Sequence, residues 1–473
     1  MTLWKKRGIE MKIQSLCVSS ALLLGGLVSS TQAQCSPTEI SKHAAFSDEN
    51  HSGGQFAKSL AISGNKAIVG APGLNSNRGR IFFYTVDGTQ MLPHSSFRAS
   101  GDGSGDSTSE SVDIDGDIAV IGAPFDDDFG SKSGSAYIFR YDGVNWNQET
   151  KLLPSDGASK DFFGHEVAIS GNVVVIGARH ESAFSSPPGA AYVFRYDGAS
   201  WVEEAKLLAS DGEDDDQFGS AVAIEGNTIV IGADNDDAGN WWPGSRYGSA
   251  YIFNYDGANW SQGAKIIGPA EDSIEGSSSF GASVGLSGSR VVIGQIGDDA
   301  DGTNSGAAYI YGTDGVLHNK IKASDVDPTG HFGSSVALIG DTLVVGAQDD
   351  LSQGAAYLYK FDGASWVEAA KMVSADITFG DWLGKAVAIS GDTVLIGASS
   401  ENQAKGSFYV FDQGCAVVCL ADLTGDGLLN FFDISAFLQA FGAQDSSADF
   451  NGDGLFNFFD ISDFLAAFAA GCP

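Results

Sequence analysis

An all-β chain, a seven-bladed β-propeller of four-stranded antiparallel blades with a small α-helical domain behind it, is the fold the sequence predicts. Three observations carry that prediction. The stretch from Phe162 to Ser210, FFGHEVAISGNVVVIGA followed by AAYVFRYDGASWVEEAKLLAS, recurs with drift six more times, and self-similarity at about fifty residues marks a propeller or solenoid. Glycine, at 62 of 473 residues, is about twice its usual share, as many short strands joined by tight turns require. Beyond the last repeat, period and composition change abruptly.

Taken in order, the chain opens with Lys5, Lys6, Arg7 and Lys12, an apolar stretch from Leu16 to Val28, and Thr31-Gln32-Ala33. That order of basic, apolar and small residues predicts a secretory signal over residues 1–33, with Met11 a second candidate start. The apolar run is too short to span a membrane. Cys17 falls inside the signal, leaving Cys35, Cys415, Cys419 and Cys472 for an oxidising compartment.

The propeller is expected over residues 34–413. Anchoring on Phe-Gly or its equivalent places the units at Phe56, Thr108, Phe163, Phe218, Phe280, Phe332 and Leu383. Within each, VAIS is a first strand and Gly-Asn, Gly-Asp or Gly-Ser a two-residue turn that demands positive φ. VVVIGA is a second strand, β-branched and buried on both faces. After a variable loop, AAYVFRY forms the third strand, and Asp-Gly turns the chain into a fourth that ends KLLAS. Trp146, Trp201, Trp260 and Trp366 begin fourth strands and are expected to pack between strands.

The last unit supplies three strands, and residues Thr38 to Ser47 precede the first Phe-Gly as AKLLAS precedes later ones. The N-terminal segment is therefore expected to complete the seventh blade and close the ring, leaving no open edge. That placement brings Cys35 near Cys415 as a latch, with Cys419 and Cys472 bracketing the final segment, although four cysteines allow three pairings.

Topology sorts the loops. Turns after first and third strands share one face; the longer acidic loops after second and fourth strands share the other. On the second face the sequence puts Asp126 to Asp128, Asp214 to Asp216, Asp236, Asp237, Asp298, Asp299, Asp301, Asp349 and Asp350, expected as solvated runs, and Trp241-Trp242 in the longest loop. Phe-Gly with Gly-Ala-Pro at Gly70 and Gly122, and GAR, GAD, GAQ or GAS elsewhere, resembles the FG-GAP repeat of integrin α-subunit propellers and many secreted bacterial proteins. In integrin-like propellers calcium sits in a loop between the first two strands. Here a two-residue turn stands there, so those sites are not carried over.

Residues 414–419 form a short linker, and 420–473 hold two dodecamers, DLTGDGLLNFFD from Asp422 and DFNGDGLFNFFD from Asp449. Each puts oxygen donors at positions 1, 3, 5, 9 and 12 and glycine at 6, the pattern a hard cation with six to eight oxygen ligands needs. The first loop offers Asp422, Thr424, Asp426, Asn430 and Asp433 with the Leu428 carbonyl; the second offers Asp449, Asn451, Asp453, Asn457 and Asp460 with the Leu455 carbonyl. Two Ca2+ ions are the expected cofactors. An amphipathic helix follows each loop, through Ile434, Phe437, Leu438 and Phe441, then Ile461, Phe464, Leu465 and Phe468. Duplication, aspartate at position 12, FFDIS after each loop and the terminal Gly-Cys resemble a dockerin, a paired EF-hand-loop domain. The resemblance implies non-covalent attachment to a cohesin-like or cell-surface protein. Phe431-Phe432 and Phe458-Phe459 are candidates for that contact or for core filler.

The net charge of −34, from 60 acidic and 26 basic residues, excludes nucleic acid and anionic membrane surfaces as partners. His43, His51, His94, His165, His180, His318 and His331 share no repeat position and are expected in solvated loops. No nucleophile elbow, HExxH motif, P-loop or kinase set is present. The expected function is secreted, non-enzymatic binding or display, with a protein or carbohydrate ligand on the acidic loop face. The alternative is a dockerin-tethered polysaccharide-degrading enzyme, a glycosidase or lyase, which would need paired carboxylates or a His/Tyr/Arg set converging near the ring axis.

Overall fold

The computed structural model describes residues 37–45, 53–88, 90–180, 188–237, 246–269, 277–325, 327–414, 421, 423–424, 429–445, 448–450 and 454–470. The signal segment, Cys35, Cys415, Cys419, Cys472, His51 and Trp241-Trp242 lie outside the described residues, as do Asp422, Asp426, Leu428, Asn451 and Asp453.

The chain is mostly β, and its described strands fall into successive four-stranded antiparallel groups of the kind that build a β-propeller. Set three is representative: Phe163–Ser170, Val173–Ala178, Ala190–Tyr196 and Trp201–Leu207 pair in chain order. Four sheets follow that order, and an eight-stranded sheet holds two more such groups, joined where Arg246–Tyr255 pairs parallel with Ser277–Ser287. In the remaining one, Leu383–Ser390, Thr393–Ala398 and Ser407–Asp412 are joined on their outer side by Thr38–His43, which pairs antiparallel from Thr38 opposite Asp412 to His43 opposite Phe408. Every residue of Val173–Ala178 is buried, as a strand covered on both faces requires.

The cores lie between sets rather than within them. One packs Ala388, Leu395, Phe408 and Val410 against Phe56, Val69, Phe82 and Tyr84, joining the last set to the first. Trp146 stacks on Phe83 of the preceding set with ring centroids 4.2 Å apart, so this tryptophan seals neighbouring sheets as well as its own hairpin.

The Phe-Gly and Gly-Ala signatures follow from that packing. Gly164 has φ 88°, a conformation costly for any residue with a side chain. A Cβ on Gly122 would stand 2.0 Å from the Gly164 carbonyl oxygen, so the backbone of one set lies directly on the next. The same approach recurs at Gly397, where a Cβ would meet the Ala57 oxygen at 2.3 Å.

In the C-terminal segment, Phe431–Ala443 and Phe458–Ala470 are helices. Phe437 and Phe464 stack face to face at 4.0 Å over Ala421 and Ala448. The structure corrects the expected apolar stripe: Leu438 and Leu465 are exposed. The two phenylalanine pairs are not core filler either, since Phe431, Phe432, Phe458 and Phe459 are 74%, 68%, 74% and 65% exposed. Among the described residues no helix is long and apolar enough to cross a membrane.

Candidate functional site

First strands of all seven sets line a cavity of about 200 Å3, where Lys58, Glu110, Glu166 and Lys385 meet serine and alanine from the other sets. It adjoins a wider cup of about 510 Å3, which shares those four residues and adds His165, Arg179, Asp234 and Trp382. Arg179, Asp234 and Ser399 follow second strands and Trp382 precedes a first strand, so the cup opens on the face of the longer loops.

The charges arise at two adjacent positions of one repeat. The residue after Phe-Gly is Lys58, Glu110, His165, Ser220, Ala282, Ser334 and Lys385 in turn; the next is Ser59, Ser111, Glu166, Ala221, Ser283, Ser335 and Ala386. One side of the axis is thus charged and the other carries small, uncharged groups. The serines seal the ring: Ser111 Oγ donates to the Gly164 oxygen at 3.1 Å and Ser335 Oγ to the Gly384 oxygen at 2.8 Å.

Lys58 and Glu110 form an ion pair. Burial, then the charges of Asp113 and Glu110, raise the Glu166 carboxyl to about 8. Burial lowers Lys385, aided by the charge of Lys58. Burial drives His165 down to about 3, reinforced by Arg179, so its imidazole is neutral at physiological pH. The Nδ1 atom of His165, Nε of Arg179 and Oδ1 of Asp234 are buried without a hydrogen-bond partner. His165 corrects an expectation. It stands at the axis rather than in a solvated loop, and first strands carry atypical acids and bases. His43, too, is no loop residue: it stacks on Phe408 at 4.9 Å.

The acidic loops are corrected as well. Each run holds buried carboxylates, with Asp126, Asp216, Asp236, Asp298, Asp299 and Asp350 all under 8% exposed, while Asp127, Asp128, Asp214, Asp215 and Asp301 face solvent. Asp236 shows the arrangement. Lys265 Nζ lies 2.8 Å from Asp236 Oδ2, and both the Ser249 hydroxyl and the Tyr251 hydroxyl donate to the same oxygen, at 2.5 and 2.9 Å. The Lys265 ammonium also rests over the Tyr251 ring, 5.1 Å from its centre. Asp126 with Lys151 and Tyr137, and Asp298 with Lys320 and Tyr309, repeat the arrangement. Lysine from a fourth strand, tyrosine from a third and aspartate from the loop between second and third strands form a structural pin. Among the described residues no group of three or more His, Cys, Asp or Glu side chains is arranged to hold a metal.

In the C-terminal loops, the structure brings together the later ligand positions. Asp433 is fully buried; its Oδ1 accepts from the Thr424 amide at 3.1 Å and the Thr424 hydroxyl at 2.8 Å, and its Oδ2 from the Asn430 amide at 2.9 Å. Asn430 caps the following helix through the Phe432 amide at 2.8 Å. Asp460 repeats this, accepting from the Phe450 amide at 2.9 Å and the Asn457 amide at 2.8 Å. Asp449 accepts from the Gly454 amide at 2.9 Å with Oδ2, while its Oδ1 is buried without a partner. An orphaned, buried carboxylate oxygen at the first position of such a loop fits a hard cation. The Leu455 carbonyl, at the seventh position, accepts from Asn457 Nδ2 at 3.3 Å.

Six segments match the family model of the FG-GAP repeat, residues 95–139, 146–194, 201–253, 260–311, 316–359 and 366–411. Each runs from a fourth strand through the third strand of the next set, so the family's unit straddles two sheets. No curated protein matches the chain. With more than half of its residues inside those six segments, the chain belongs to the FG-GAP repeat family.

Proposed function

We propose that the chain is a secreted, non-enzymatic recognition protein: a seven-bladed propeller that holds a ligand on its loop face. Its dockerin-like C-terminal domain folds on calcium and attaches it to a cohesin-type or cell-surface partner. The observation that carries the binding reading is the cup on the loop face, where buried polar atoms of His165, Arg179 and Asp234 lack partners. Buried polar groups cost free energy unless they are bonded, and a polar ligand entering the cup satisfies them.

Seven blades agree with the succession of sets and with the close approach of Gly397 to Ala57 that joins last to first. The orphaned Asp449 oxygen favours calcium, for which Asp422, Thr424, Asp426, Asn430 and Asp433, then Asp449, Asn451, Asp453, Asn457 and Asp460, supply oxygen donors with the Leu428 and Leu455 carbonyls. Bound calcium neutralises the facing carboxylates and ties each loop to its helix. The exposed phenylalanine pairs offer the attachment surface its apolar centre.

One observation favours the enzyme reading. Glu166, with its carboxyl raised to about 8, shares the axial cavity with Glu110, and a protonated and an ionised carboxyl are the pair a glycosidase uses. Against it, Glu110 is already paired with Lys58. Calorimetry against a glycan and peptide panel, run beside turnover assays on the same polysaccharides, separates the two. Binding without turnover is expected; hydrolysis or elimination abolished by Glu166→Gln would replace the display function with catalysis.

A further inference from the structure

The cup's composition narrows its ligand, on the premise that the loop face is the binding face. In a chain of net charge −34 the cup gathers three bases, Lys58, Arg179 and Lys385. Lys58 is held by Glu110, whereas among the described residues Arg179 and Lys385 have no ion-pair partner. Trp382 stands on the rim, 40% exposed, at the repeat position before Phe-Gly where Gln55, Ser107, Phe162, Gln217, Ser279 and His331 share its positive φ. Its indole therefore contributes an accessible aromatic surface at a fixed point of the rim. Ser220, Ser399 and Gln55 add neutral hydrogen-bonding groups to the lining of the cup.

Flat aromatic surface, neutral hydrogen-bonding groups and unpaired cations together fit an acidic sugar. We propose that the cup takes a uronic acid residue of an acidic polysaccharide, its ring against Trp382, its hydroxyls on the serine and glutamine groups, and its carboxylate on Arg179 and Lys385. The volume of about 510 Å3 falls in the usual range of about 300–1,000 Å3 for small-ligand sites. Two of the cup's carboxyls do not repel that anion at neutral pH: Glu110 is neutralised by Lys58, and burial keeps Glu166 protonated. Bidentate pairing makes arginine the stronger of the two carboxylate contacts.

Calorimetry of the full chain in calcium tests this with three probes: oligouronates of galacto and gluco configuration, their carboxyl-reduced neutral counterparts, and oligoglutamate. An oligouronate is expected to bind at least about tenfold more tightly than its neutral counterpart. Arg179→Gln and Lys385→Met each remove most of that difference, and Trp382→Ala weakens both sugars while leaving the thermal melt unchanged. Equal affinity for charged and neutral sugars overturns the uronate assignment but leaves the loop face as the binding face. A preference for oligoglutamate does the same and gives the cup to an acidic protein segment. If Trp382→Ala alters binding of no ligand found on the panel, the loop-face reading itself falls. If no sugar binds to chain that melts normally, the uronate proposal falls alone.

Discussion

At the scale of single residues, Glu166 is the most consequential side chain. It stands on a first strand where the other six sets place serine or alanine, and it shares the axial cavity with Lys58, Glu110 and Lys385, with His165 beside it on the same strand and Asp113 and Arg179 also acting on the site. The sequence contained this signal but hid it. Glu110, His165 and Glu166 look ordinary along the chain, and stand out only when the residues after each Phe-Gly are aligned set against set. Glu166 carries a stability consequence whose sign is fixed. Its folded carboxyl sits at about 8 against an ordinary value of 4.5, so the folded chain binds the extra proton between those values. The contribution is complete below about pH 4.5 and is lost as pH rises towards 8. Unfolding free energies from urea titrations at pH 5 and pH 9 are expected to differ less for Glu166→Gln than for the parent chain, by on the order of 2 kcal/mol after allowing for water in the cavity. An unchanged pH profile would show that Glu166 is solvated and ionised in the fold.

At the scale of elements, the lysine–tyrosine–aspartate pins explain why acidic loops sit on a propeller of such negative charge without fraying. Third and fourth strands register Tyr251 opposite Lys265, but a bulge between Tyr251 and Phe253 shifts the pairing by a residue. Ala-Tyr and Ala-Lys were both visible as repeats; the bulge is why counting from the Asp-Gly turn does not bring them together. Nor does a run such as Asp234 to Asp237 announce which carboxylate turns inward. For the Lys265 ammonium, burial alone would lower its pKa, and the hydrogen bonds to Asp211 and Asp236 outweigh it and raise it. Lys265→Met therefore leaves Asp236, 3% exposed, without its cation. Removing one partner of such a pair is expected to cost about 3 kcal/mol. Adding Asp236→Asn should recover much of the loss, because the uncompensated charge goes with it. Equilibrium denaturation of the single and double variants checks this, and a single variant within about 0.5 kcal/mol of the parent would reduce the pin to surface decoration.

At the scale of the whole molecule, the repeat and the strand order were legible because turn chemistry and β-branched runs act locally, and the FG-GAP match covers most of those strands. The partners of the C-terminal carboxylates were not legible. The dodecamers indicated which residues carry oxygen, whereas the structure shows Asp433 and Asp460 each clasping backbone amides from both ends of a loop. On the proposed calcium assignment, the two parts of the chain are expected to respond differently to calcium. The propeller's cores are apolar and lie between sheets, as around Phe56, Val69 and Phe408, so chelation leaves their driving force untouched. Among its described residues the C-terminal segment buries few large side chains, chiefly Phe437 and Phe464, a small core to set against chain entropy without a metal. Chelation is therefore expected to abolish the helical circular-dichroism contribution of Phe431–Ala443 and Phe458–Ala470 while the strand signal and the main thermal transition remain. Asp449→Ala, which removes the orphaned oxygen, should shift the calcium midpoint upward by about tenfold or more. Helices that persist unchanged in chelator would mean that hydrogen bonds from Asp433 and Asp460 suffice to fold the segment, and the calcium assignment would fail with them.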